Sequence, residues 1–346
     1  VPNPIDRCHA LLPGVSRTFA LLIPELPAPL RDTVGVAYLL CRIADTIEDH
    51  TEASLETRLR AFDAYQALID APDRAAARSQ LADLTEPWTL DADHRALLHE
   101  AGTVLAAFDS LPPFDRDVIR DCVAEMISGM RETVTEHADH GRARLADIAV
   151  LERYCYYVAG IVGRMLTRLF WRHAHGAQTP PNDLVAQGVT FGLGLQITNI
   201  LKDHRADATR GVTYVPRSID DATDTKSDTR QAGLLPEPLL AALIHRAADW
   251  LDTSFQYALR WPPTATGIRV FCLGALMMAV RTLAIVFTRQ ASLAPDESPK
   301  ITRADVTDIM TRARAEAAND ATLHAWYAAE RLRLDQQLAS HAPRAT

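Results

Sequence analysis

Apolar residues recur at three- and four-residue spacing along most of the chain, and no segment alternates over the length of a strand. Runs such as "VGVAYLLCRIA" (34–44), "YCYYVAGIVGRMLTRLF" (154–170) and "VFCLGALMMAVRTLAIVF" (270–287) are too long for strands. Between such runs stand proline clusters: "PELPAPL", "LPPF", "TPPND", "LPEPLL" and "WPPTATG". Proline fits the first turn of a helix and breaks its interior, so each cluster marks a helix boundary. The pattern predicts an all-α chain. The polar stretch from Ser218 to Gly233 reads as a mobile loop between helices, and the tail from about Ala313 as a helix that frays toward its end. No repeat or linker divides the chain, so the expectation is a single domain.

Composition narrows the function. With 346 residues, 48% hydrophobic and 23% charged, there is material for one large core. A net charge of -8 speaks against a sequence-independent grip on nucleic acid, which needs a basic stripe. It leaves anionic substrates open, provided cations mediate their binding. Five cysteines without a C-x-x-C pair read as small reduced hydrophobes, which suits a cytoplasmic protein. The start, "VPNPIDRCHALL", shows no basic region followed by an apolar run, so no signal peptide is expected. The run from Val270 to Phe287 is interrupted by Arg281 and is predicted to be a buried core helix, not a membrane span.

Candidate chemistry begins at "CRIADTIEDH" (41–50). Asp45 and Asp49 are four residues apart and share a helix face, with Glu48 beside them and Arg42 and Tyr38 one turn earlier. A second helix repeats the spacing at Asp203 and Asp207, and Asn199 and Gln196 continue the stripe. Such a row is poor core material, because each buried polar group needs a partner. One D-x-x-x-D is commonly just a solvated face. Two, each preceded by apolar helix, point to function. Facing each other, they would form a cavity with carboxylates at its mouth. Magnesium suits that arrangement, taking one or two carboxylates, several waters and substrate phosphate oxygens. Arg42, Lys202 and Arg210 are candidates to take further phosphate oxygens.

A third element, Tyr154 to Phe170, sets Tyr154 and Tyr157 one turn apart. Ala159, Gly160 and Gly163 follow, small enough for a neighbouring backbone or a bulky ligand to come close. Tyrosines in an apolar helix are more often core members than catalysts. The histidine pairs at 137–140 and 173–175 lack further ligands at zinc spacing and read as surface residues.

Together these residues resemble the squalene/phytoene synthase family, its squalene synthases most closely. The matching segments are "SRTFALLIPELP", "YLLCRIADTIEDH", "YCYYVAGIVG", "GLGLQITNILKDHRAD" and "RVFCLGALMMAVRTLA", in the family's order and spacing. The resemblance implies the class I isoprenoid synthase fold: one helical domain around a central cavity, over residues 1–346, with a core at about 16–290 and C-terminal helices and tail at 291–346. It implies head-to-head condensation of two farnesyl diphosphates to presqualene diphosphate, then NADPH-dependent rearrangement to squalene. Position by position, it makes Asp45, Glu48, Asp49, Asp203 and Asp207 the Mg²⁺-holding acids. Tyr38, Arg42, Gln196, Asn199 and Lys202 would contact diphosphate or metal-bound water. Ser16, Arg17 and Phe19 match a segment near substrate and nicotinamide. Tyr154 matches the tyrosine implicated in proton loss at cyclopropane closure, and Phe271 an aromatic near the second half-reaction. Lys300 and Arg303 fall where squalene synthases bind NADPH phosphate.

Several positions depart from the family pattern. Lys202 stands where Arg is usual, "DHRAD" replaces a "DYLED"-like run, and "TYVP" ends the following loop in the phytoene manner. The proline expected after Phe271 is missing. These departures bear on the reductive step more than on the condensation. The alternatives are a non-reducing relative releasing presqualene diphosphate, hydroxysqualene, dehydrosqualene or another terpene, and a non-catalytic helical assembly protein. Eukaryotic squalene synthases end in a membrane anchor. This chain shows no such segment, which implies peripheral contact with a bilayer.

Overall fold

A computed structural model describes residues 3–71, 73–139, 143–145, 147–209, 212–216, 234–289, 292–294 and 296–340. The described residues are overwhelmingly helical, as the spacing predicts, and fall into two compact units. The loop expected over Ser218–Gly233 lies outside them.

The first unit comprises Val1–Asp139 and Met165–Thr179. Its helices are α1 (Pro4–Val15), a short α2 (Phe19–Leu22), α3 (Ala28–Asp49), α4 (Leu55–Asp70), α5 (Ala75–Thr85), α6 (Ala92–His99), α7 (Ala101–Ser110) and α8 (Pro113–Asp139). Pro27 caps α3, whose body is buried on nearly every side through Val34, Val36, Leu39, Leu40, Ile43 and Ile47. Each such side chain contributes about 1.5–3 kcal/mol on burial, enough to hold a helix that ends in three acids. Tyr65 of α4 fastens its middle by donating to the Leu40 carbonyl at 2.6 Å.

The second unit comprises His140–Arg164 and Pro180–Thr346. It contains α9 (Ile148–Cys155), the start of α10 (Ile161–His175), α11 (Asn182–Thr209), α12 (Glu237–Arg260), α13 (Thr266–Arg289), α14 (Arg303–Glu316) and α15 (Asp320–Ser340). Of the 18-residue apolar window within α13, 89% is buried inside the protein, as a core helix requires. Its charges have partners. Arg281 donates to Glu330 at 2.7 Å and to Asp308 at 2.6 Å. Arg269 is fully buried and donates to the Ala317 carbonyl at 2.8 Å and to Asp320.

Every predicted proline boundary is a helix start or a joint just before one: Pro27, Pro113, Pro181, Pro236 and Pro262. Three features differ from the sequence expectation. Pro13 lies inside the last turn of α1 without ending it. Tyr156–Gly160, between α9 and α10, is a π-helical turn. Ala143–Arg144 (β1) pairs in parallel with Val212–Thr213 (β2), a ladder too short to leave any alternation in the sequence.

Candidate active site

In the first unit, the last two turns of α3 carry the acids. Asp45 is half-buried, Glu48 buried and Asp49 exposed. Arg42 reaches Asp45 at 3.5 Å along the same face. Burial, joined by repulsion from Asp49, pushes the Asp45 carboxyl up to about 6 against the pull of Arg42. Glu48 is held well above the usual carboxylate range by burial and then by Asp49 and Asp45. Its Oε1 is buried without a hydrogen-bond partner among the described residues. The guanidinium of Arg58, from α4, donates to the Glu48 carbonyl at 3.2 Å and so meets the negative end of α3.

Tyr38 and the segment before α2 assemble beside this turn. Buried Ser16 accepts from the Phe19 amide at 2.9 Å, and Phe19 packs on Tyr38 with ring centroids 5.5 Å apart. The Tyr38 hydroxyl donates to the Val15 carbonyl at 3.2 Å. Burial raises its pKa, partly offset by Arg42 and Ser16. Arg17 is exposed. His50, capping α3, stacks on buried Trp88 at 4.5 Å, a contact that spacing alone does not disclose.

The second acidic turn closes α11. Gln196 is half-buried, Asn199 exposed, Asp203 half-buried and Asp207 buried, so the stripe runs from solvent into the protein. Lys202 pairs with Asp203 at 3.0 Å. The two unusual residues between the aspartates face the interior. His204 engages the Leu201 carbonyl at 2.7 Å, and Arg205 donates to the Leu293 carbonyl at 2.7 Å. Arg210 lies outside the described residues.

Helix α11 is pressed against the π-helical turn and the start of α10. A Cβ on Gly163 would collide with the Gly188 carbonyl, and one on Gly192 with the Ala159 carbonyl. The small residues therefore serve backbone contact. Tyr154, 5% exposed, stacks on Tyr214 with centroids 4.6 Å apart and planes at 16°. Tyr157 meets Tyr156 edge-on at 5.5 Å. Phe271 is buried in the first turns of α13. Lys300 and Arg303 are exposed on either side of Thr302, which caps α14 in a reciprocal pair with Asp305. All five cysteines are buried and free. His173 is exposed, whereas His175 stacks on Trp171 at 3.8 Å and is half-buried, deeper than a surface reading expects. The side chains of His137 and His140 lie outside the described residues.

Among the described residues, no three His, Cys, Asp or Glu side chains cluster to cage a metal by themselves. An all-oxygen donor set offering one or two carboxylates per turn, with Glu48 Oε1 unpaired, fits a hard cation completed by water and phosphate. Each unit thus carries a pair of aspartates in the last turns of a long helix.

The chain belongs to the squalene/phytoene synthase family, whose model matches residues 12–305 and so runs through both units. It is 30% identical over 297 residues to a squalene synthase of Candida albicans, covering 81% of this chain and 61% of that one. With squalene synthase 8 of Panax ginseng the identity is 31% over 294 residues, covering 81% and 67%. A solved structure of TcSQS with the ligand BPH1237 shares the fold, with a TM-score of 0.76 at 23% identity over 99% of this chain and 93% of that one. The chain thus spans about three fifths of the Candida albicans relative's length.

Proposed function

We propose that this chain is a squalene-synthase-type prenyltransferase. It joins two farnesyl diphosphates head to head into presqualene diphosphate and, with NADPH, rearranges that product reductively to squalene. The observation that carries the reading is the repeated aspartate pair, each at the end of an apolar helix, in a chain of this family.

Asp45, Glu48 and Asp49 would hold Mg²⁺ for one diphosphate, and Asp203 and Asp207 for the other. When bound, magnesium supplies the Lewis acidity that neutralises a leaving diphosphate. Arg42 and Lys202 already stand at 3.5 Å and 3.0 Å from their aspartates and add charge that phosphate oxygens meet directly. Gln196, Asn199 and Tyr38 orient those oxygens or metal-bound water. Once diphosphate leaves, the allylic cation would be quenched by water, so the reaction needs a site that excludes it. The second substrate's double bond attacks the cation. The electron pair of a C–H bond then closes the cyclopropane, its proton passing to the Tyr154 hydroxyl as that hydroxyl releases its own to a diphosphate oxygen. Ser16, Arg17 and Phe19 line the approach of substrate and nicotinamide, and Phe271 faces the second cation with a π surface. Lys300 and Arg303 would meet the phosphates of NADPH.

Incubation with farnesyl diphosphate and Mg²⁺, with and without NADPH, tests this by product chromatography. Squalene appearing only with NADPH supports the full reaction. A product set indifferent to NADPH favours the non-reducing relative, a reading supported by the Tyr214-Val215-Pro216 ending of the segment after α11. Asp45→Ala and Asp203→Ala should each fold and lose turnover. Unaltered product formation in both would remove the aspartates from the reaction, and a parent that forms no product would leave the non-catalytic assembly role. Release of so apolar a product goes through peripheral contact with a bilayer, and a flotation assay without liposome association would oppose that contact.

A further inference from the structure

Tyr214 has no part in the reaction as set out above, yet two separate contacts bring it to the tyrosine that has one. The ladder between β1 and β2 ties the strand entering α9 to the strand that follows α11, with Ala143 opposite Val212 and Arg144 opposite Thr213. Directly after that ladder, the Tyr214 ring lies almost flat on Tyr154, at 4.6 Å and 16°. Val215 is then buried, which anchors the segment on the far side of the ring. Asp147 caps α9 by accepting from the Val150 amide at 2.9 Å, so the helix carrying Tyr154 is itself fixed at its start. Tyr214 is thus held by backbone pairing before it and burial after it, while its ring covers one face of Tyr154.

We propose that Tyr214 is a positioning residue: by covering one face of Tyr154 it sets the ring plane, and hence the direction in which the Tyr154 hydroxyl meets the departing proton. The proposal rests on the reaction assigned above and concerns how its tyrosine is aimed. The hydroxyl oxygen lies on the Cβ–Cγ axis, and its O–H bond and lone pair favour the ring plane, so a stack that holds the plane holds the direction in which the oxygen meets a proton. The hydroxyl of Tyr214 is not required for this; its π face is.

The test compares Tyr214→Phe, Tyr214→Leu and Tyr214→Ala in the full chain. Near-ultraviolet circular dichroism of the metal-free protein reads the stack, and steady-state kinetics read its use. Tyr214→Phe should keep the dichroic band and stay within about threefold of the parent kcat, because the face is retained. Tyr214→Leu and Tyr214→Ala should lose the band and fall roughly tenfold or more in kcat, with KM for farnesyl diphosphate within about twofold. Equal loss in Tyr214→Phe and Tyr214→Ala would overturn the proposal, since a hydroxyl would then be the active feature. So would a parent-like kcat in Tyr214→Leu, or a change confined to KM. If Tyr214→Ala fails to fold, the Phe and Leu variants carry the comparison. A parent protein that makes no product from farnesyl diphosphate defeats the assigned function instead, and the dichroic comparison still reports whether the rings stack.

Discussion

Asp45 shows what the acidic turn costs the protein without metal. Its carboxylate is crowded by Asp49 and by burial, with one guanidinium 3.5 Å away as partial relief. Replacing it with the neutral, near-isosteric amide should therefore stabilise the metal-free protein while removing a proposed cation ligand. Asp45→Asn is expected to melt a few degrees higher than the parent in EDTA, by differential scanning calorimetry. It should also lose more than about a hundredfold in turnover with Mg²⁺ present. The acids themselves are legible in the sequence, because charge at the end of an apolar helix breaks the amphipathic pattern. Arg58, the His50–Trp88 stack and Tyr214 are not. Their partners come from elsewhere in the chain, and a single aromatic or basic residue carries no periodicity.

At the scale of elements, the contact of α11 with the π-helical turn and α10 depends on missing side chains. Gly163 and Gly192 each abut a carbonyl of the opposing backbone. Gly163→Ala and Gly192→Ala should each cost about 1–3 kcal/mol, read as a lower midpoint in urea denaturation with an unchanged slope. Gly160 meets only side chains, nearest Tyr156 and Val189, and Gly160→Ala should be milder. Small residues in this helix were visible from the sequence, and so was the possibility of close approach. The π turn was not, because one extra residue in a turn changes the hydrogen-bond ladder without changing the residue types. The two-residue strands escaped for a similar reason: period-two alternation needs more length than they have.

At the scale of the whole chain, proline punctuation and apolar spacing disclosed the all-α class and the helix starts, and the family match at 12–305 agrees with the segments that carry the resemblance. On the proposed reading, the two D-x-x-x-D turns should make product formation depend on a divalent cation. Chelation should abolish it, and added Mg²⁺ should restore it, in the same chromatographic assay. Core charge is balanced by partners that come late in the chain. Arg281, in the apolar α13, is neutralised by Glu330, itself 6% exposed. Arg281→Met alone should cost roughly 3 kcal/mol by leaving that buried carboxylate with Arg333 at 3.4 Å as its remaining cation, and Arg281→Met combined with Glu330→Met should recover most of it.

Arg269 extends this dependence past the family match. Its guanidinium is sealed from water and donates to a carbonyl and a carboxylate from the joint between α14 and α15, at Ala317 and Asp320. Cutting the chain at residue 305 would strand a cation in hydrocarbon, so the last two helices act as a foundation, not trimming. A fragment ending there should lose the cooperative transition of the second unit, which a fragment ending at 340 should keep.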